Sequence, residues 1–326
     1  MKKRIILISA AVLFVVGGIW QVFNAHQNRI FRQKYGFSAI LAVREAGNMI
    51  KTINFGTGSV SRYTHEEYSA ASESSILIAI NSEDKADVVL YENGERTLLF
   101  STVQYIWGQP VMIEDKVYFI AAETNERWQQ NSKISDAYLW VFENEKIEKF
   151  HDVNVGHFSG ILNHGETIIF VEELSTTTNM AVTINGEKTD RFANIDDRQI
   201  IKKNVITHET EVIYEGQFPC WQEPGNTFFF AMPHKGLARY NLLTKTVEIL
   251  DEYLFVESSP IYNSTNEILL FIYPDPDNLM SININTEGMF YLRHFEIIKC
   301  RKYFKQMGFG WEEDYHGIRN YLFWEE

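Results

Sequence analysis

Six times along the chain an apolar strand is followed by a second apolar strand and then by a hairpin, and the sixth copy is divided between the two ends of the sequence. Regular recurrence of four-strand units is the pattern of a closed ring of sheets, a β-propeller, because no single unit can bury its own apolar faces. The clearest copy runs from Trp107 to Phe150. In it Pro110-Val111 leads to Val117–Ala121, then to Tyr138–Phe142, a turn at Asn144-Glu145, and Ile147–Phe150.

The same order is read at Phe218–Leu250, with Phe228–Ala231 as second strand and an outer pair at Leu237–Leu242 and Val247–Leu250. It recurs at Ser258–Leu292, with Ile268–Ile272 second and an outer pair at Leu279–Ile284 and Met289–Leu292. An earlier copy spans Tyr68–Phe100, with Ile76–Ile80 second and the outer hairpin turning through Asn93-Gly94, whose residue types suit the positive φ of a type I′ turn. The copy at His157–Gly216 has Ile168–Val171 second and then two hairpins, so one of them is an insertion, placed at about 174–198. The second strands are almost continuous apolar runs, which means both faces are covered.

The ends complete each other. Gly308–Trp311 and Ile318–Trp324 supply inner strands without an outer hairpin, while Ser38–Val43 and Met49–Phe55 supply an outer hairpin without inner strands. The fold expected is therefore an all-β, six-bladed propeller over residues 37–326, closed by pairing of N-terminal outer strands with C-terminal inner strands, which leaves no open sheet edge.

Residues 1–36 differ. Lys2, Lys3 and Arg4 (the n-region, 1–4) precede the apolar run 5–23, long enough to cross a bilayer core as one helix, and 24–36 form a linker. Small residues are poorly placed for cleavage, so the run reads as a signal-anchor rather than a signal peptide. The expected location is the bacterial inner membrane, single-pass, with the propeller on the periplasmic side. Six of the 30 Lys and Arg lie in this leader and none of the 43 acids, leaving 24 against 43 and a formal net charge of −19 for residues 36–326. Such a surface repels phosphate backbones and excludes nucleic acid as a partner of the domain. The one basic stretch, Arg293–Lys305, reads as a solvated connector, and Cys220 and Cys300 as two buried free thiols.

Sequences that mimic catalytic motifs fail on spacing. Gly56–Ser61 lacks the third glycine of a dinucleotide loop, His65–Ser69 is not H-E-x-x-H, and Gly156–Gly160 misplaces its serine for a nucleophile elbow. Asp275–Asn278 lacks the glycine and the glutamate of a calcium loop. No catalytic residue, resident metal or cofactor is assigned.

The inner-strand pattern, Pro110 to Val117, Gly160 to Ile168, Cys220-Trp221 to Phe228, Pro260 to Ile268 and Trp311 to Arg319, resembles the repeat of TolB-like six-bladed propellers. In place of that family's Asp-Gly turn the chain has Glu114-Asp115-Lys116, Asn163-His164-Gly165, Pro224-Gly225-Asn226 and Ser264-Thr265-Asn266. The resemblance implies an envelope protein that binds partners, with no catalytic residues to carry over.

In a propeller the loops leading into the innermost strands and those joining second to third strands converge on one rim. Here they carry Trp107, His151, His157, Asp251, Glu252, Glu257 and Trp311. Aromatic residues ringed by acids suit a protein, peptide or glycan ligand, and Trp107, His157, Glu257 and Trp311 are the candidate contacts. The expectation is a non-catalytic binding scaffold. The alternative is a metal-dependent hydrolase or lactonase holding a divalent ion in the channel, with His157 and Glu257 among its ligands.

Overall fold

The computed structural model describes residues 40–45, 49–54, 59–72, 75–82, 84–122, 137–155, 160–173, 180–184, 187–192, 198–232, 236–251, 261–265, 267–274, 287–293, 296–299 and 322–325. Among the described residues there are six antiparallel sheets of three or four strands, one separate hairpin and one helix. The apolar run 5–23 lies outside them, and no described helix is long and apolar enough to cross a membrane.

The first sheet joins the far parts of the chain: β25 (Leu322–Glu325), β1 (Ile40–Glu45), β2 (Met49–Asn54) and β3 (Val60–Thr64), in that order. Val43 faces Leu322 and Ile40 faces Glu325, the pairing of N- and C-terminal strands expected from the sequence. The N-terminal part contributes three strands rather than two, since β3 begins at Val60, within the Gly56–Ser61 stretch, and pairs with β2.

The second sheet is β4 (Ile76–Asn81), β5 (Ala86–Glu92) and β6 (Glu95–Thr102). Where its repeat begins in the sequence, at Tyr68, the structure has helix α1 (His65–Ser72). The reason is local. Thr64 Oγ1 accepts from the amide of Glu67 at 3.2 Å and Glu67 Oε2 accepts from the amide of Thr64 at 2.9 Å, a reciprocal capping box that satisfies two amides at the helix start. The helix sinks Tyr68 into the core between the first two sheets, among Ala42, Ile50, Ile78, Val89 and Tyr91.

The third sheet is β7 (Ile106–Ile113), β8 (Lys116–Ala122), β9 (Ala137–Glu143) and β10 (Lys146–His151). The fourth takes β11 (Leu162–His164), β12 (Thr167–Glu173), β15 (Arg198–Asn204) and β16 (Thr210–Glu215), while β13 (Met180–Ile184) and β14 (Glu187–Phe192) pair with each other. Of the two hairpins read in this repeat, the second therefore belongs to the sheet. The fifth sheet is β17 (Gln217–Glu223), β18 (Thr227–Met232), β19 (Gly236–Asn241) and β20 (Thr246–Asp251).

The sixth is β21 (Ile261–Asn263), β22 (Ile268–Pro274), β23 (Glu287–Arg293) and β24 (Glu296–Lys299). Its outer pair lies further along the chain than the sequence indicated. Phe271 faces Phe290 and Leu269 faces Leu292, so Glu287–Arg293 is the third strand, and part of the basic stretch read as a connector is the fourth. Leu279–Ile284 lies outside the described residues.

Consecutive sheets pack through apolar seams. Phe100, Val88, Val117 and Phe119 join the second to the third, and Tyr118, Ile120, Leu139, Ile168 and Phe170 the third to the fourth. Ile169, Val171, Phe228 and Phe230 join the fourth to the fifth, and Phe229, Leu237 and Leu269 the fifth to the sixth. β21 in turn lies against β25. Burial on both faces explains the near-continuous apolar second strands, such as Ile168–Val171, all four fully buried. Cys220 is a buried free thiol in the fifth-to-sixth seam, and burial pushes it up to about 12.

Candidate functional site

One end of the third, fourth and fifth sheets gathers several buried or half-buried charges among the described residues, while another, Lys51, lies buried in the first sheet. β12 finishes its apolar run with two acids, Glu172 and Glu173, and because strand side chains alternate they leave on opposite faces. Glu172 turns toward the third sheet, where its Oε1 lies 2.5 Å from Nε2 of His151, the last residue of β10. Lys203 of β15 reaches the same point: its Nζ donates to the carbonyl oxygen of Phe150 at 3.1 Å and stands 3.4 Å from His151 Nδ1. Both Glu172 and Lys203 are only 8% exposed.

Donor chemistry assigns the proton on His151. An ammonium group has no lone pair, so Nδ1 facing Lys203 must accept, and Nε2 then carries the hydrogen that is donated to Glu172. Burial lowers the proton affinity of Lys203 below that of a free lysine, and the nearby Asp152 and Glu172 carboxylates restore part of it. Phe150 packs beneath the ammonium, 4.5 Å from ring centroid to Nζ, and Phe170 meets the His151 ring edge-on at 4.9 Å.

Glu173 serves the other side. It pairs with Arg198 of β15 at 2.7 Å, and Arg198 also donates to the side-chain oxygen of Gln217 at the start of β17. The segment between β10 and β11 is pinned into the same corner: Asn154 Oδ1 accepts from the amide of Ala137, and its carbonyl accepts from the amide of Glu173, each at 2.8 Å. Val155 is bridged to Glu172. The corner thus ties β10, β12, β15 and β17 into one polar lattice whose charges face each other.

Of the residues proposed from sequence, Trp107 lies on β7, half-buried, against the third-to-fourth core, with Tyr105 at 4.7 Å between ring centroids. His151 is drawn into the buried lattice, and Asp251 ends β20. His157, Glu252, Glu257 and Trp311 lie outside the described residues. Among the described residues no group of three or more His, Cys, Asp or Glu is arranged to hold a metal. Glu172, Glu173, Arg198 and Lys203 were not singled out in the sequence. Their signal was a pair of acids closing an otherwise apolar strand, opposite a strand that begins and nearly ends in cations.

No protein-family model and no curated protein matches the chain. Among solved structures, TolB from Acinetobacter baumannii aligns with a TM-score of 0.50 at 10% identity, covering 82% of this chain and 65% of that one. The chain has a TolB-like β-propeller fold. A protein from Agrobacterium tumefaciens described as a TolB aligns at 0.47 and 8% identity over 80% of this chain and 87% of its own. An oligogalacturonate lyase in complex with manganese aligns at 0.42 and 11% identity, over 78% and 73%.

Proposed function

We propose that this TolB-like chain is a closed six-bladed propeller serving as a non-catalytic binding scaffold, held at the bacterial inner membrane by residues 5–23 with the ring on the periplasmic side. Its partner is a protein, peptide or glycan of the cell envelope, bound at the rim that carries Trp107, His157, Glu257 and Trp311. The reading is carried by the polar corner at that rim. Paired charges tie four strands together at this corner, and a scaffold of that kind carrying loops is where recognition is usually built. The β1–β25 pairing and the contact of β21 with β25 support closure of the ring. The acidic balance of residues 36–326 favours a partner that is not itself strongly anionic.

In-cell cross-linking of the tagged full chain followed by mass spectrometry tests this. A dominant extracytoplasmic neighbour is expected, and recovery of cytoplasmic neighbours alone overturns the location. A stoichiometric divalent ion on the purified chain, lost on substitution of His157 or Glu257, overturns the non-catalytic reading.

A further inference from the structure

The hairpin β5–β6 turns through two residues, Asn93 and Gly94, between the paired Glu92 and Glu95. Both have positive φ, 51° and 83°, the type I′ geometry. Asparagine followed by glycine is also the pair most prone to intramolecular attack, because no side chain on the following residue hinders approach of its amide nitrogen. Asn93 is exposed to water.

Helix α1 sits on this turn. The Gly94 amide donates to Ser69 Oγ at 3.0 Å, and the Ser69 hydroxyl donates in turn to the carbonyl of Glu66 at 3.2 Å, so that one fully buried hydroxyl uses both its roles. The fit is close: a Cβ on Gly94 would stand 3.0 Å from the Cβ of Ala70.

We propose that Asn93 is a self-modification site, capable of conversion to isoaspartate through its own backbone, and that docking of α1 is the guard that holds the reaction off. In the reaction the Gly94 amide loses its proton to a solvent base, its nitrogen bonds to Asn93 Cγ, and the side-chain nitrogen takes up a proton and leaves as ammonia. Water then opens the succinimide at either carbonyl, giving aspartate or isoaspartate, with no change of oxidation state. The guard works at the first step, since an amide engaged with Ser69 gives up its proton less readily and cannot swing toward Cγ. The inference is independent of the binding reading.

The product would act back on the fold. Isoaspartate lengthens the main chain of a two-residue turn by one methylene and adds a carboxylate between Glu92 and Glu95, under the helix that carries Tyr68 into the first seam. Conversion therefore disfavours docking of α1 and removes the protection it gave.

The experiment is timed incubation of the full chain at mildly alkaline pH, folded and in urea, with peptide mass spectrometry counting amide-to-acid conversion at Asn93 and at Asn185, in the chain's other Asn-Gly pair. Conversion of Asn93 in the folded chain is expected to be at least about tenfold slower than in urea, the fraction of time the helix is lifted. Ser69→Ala should speed Asn93 by roughly three- to tenfold, the equivalent of one lost hydrogen bond, while leaving Asn185 unchanged. Should that variant melt early, Thr64→Ala, which loosens only the helix cap, should speed the same site to a smaller degree. Equal rates at Asn93 in the folded and unfolded chain, or no acceleration in either variant, overturns the proposal.

Discussion

The third-to-fourth and fourth-to-fifth seams are built on opposite faces of the same two strands, β12 and β15, yet from different chemistry. One face presents Ile168, Phe170 and Ile201 and ends in the Glu172–His151–Lys203 lattice. The other presents Ile169, Val171 and Ile200 to an aromatic cluster in which Phe230 meets Phe228 at 5.8 Å and, edge-on, Tyr214 at 5.5 Å. An apolar seam accepts many arrangements of similar volume, whereas a buried charge accepts only the partners that satisfy it. One pair of strands is thus held by apolar volume on one face and fixed by specific charge partners on the other.

Truncation of the aromatic side should have the largest effect. Phe230→Ala is expected to cost about 3–5 kcal/mol, read as a lowered urea midpoint, because the cavity lies between two sheets that cannot both collapse into it. Glu172→Ala on the polar side should cost about 2–4 kcal/mol, slightly below the figure for fully buried pairs, since the side chains of Glu172 and His151 keep 10% exposure. The contrast sharpens in a triple variant: His151→Leu, Glu172→Leu and Lys203→Met together should return stability to within about 1–2 kcal/mol of the parent chain. If the triple variant is as unstable as Glu172→Ala alone, the lattice is doing more than satisfying its own charges.

The smallest effect is one of pH. Burial holds the folded Lys203 below its unfolded value, so between the two values the unfolded chain binds the extra proton and stability rises with pH. Relative to Lys203→Met, the parent should gain stability across the alkaline range toward about pH 10. Cys220 has the opposite sign: its folded value is raised, so its contribution falls as pH climbs past the ordinary thiol range, and the native thiol should resist alkylation until urea is added.

The strands were legible in the sequence because each second strand is apolar on both faces, and Asn93-Gly94 marked its turn correctly. Helix α1 was not, although Thr64 and Glu67 carry its capping box, because eight residues without an apolar stripe give no helical period. The outer pair of the sixth sheet was misplaced because two stretches, Leu279–Ile284 and Glu287–Arg293, are both apolar enough to pair with β22, and only cross-strand partners distinguish them. The polar corner was invisible for a deeper reason. His151, Glu172 and Lys203 are far apart in sequence; His151 by itself reads as a rim-loop residue, and Glu172 and Lys203 as solvated strand ends.

The pairing of β1 with β25 has a consequence for how the molecule is made. β1 emerges from the ribosome early and β2 follows at once, but its other neighbour, β25, is not synthesised until residues 46–321 have followed. Until then the first sheet carries an unzipped margin of backbone donors and acceptors, the kind of exposed edge that invites association with other nascent chains. Folding that must wait for so distant a contact is slow, and chaperone demand during synthesis follows from the wiring of this one sheet.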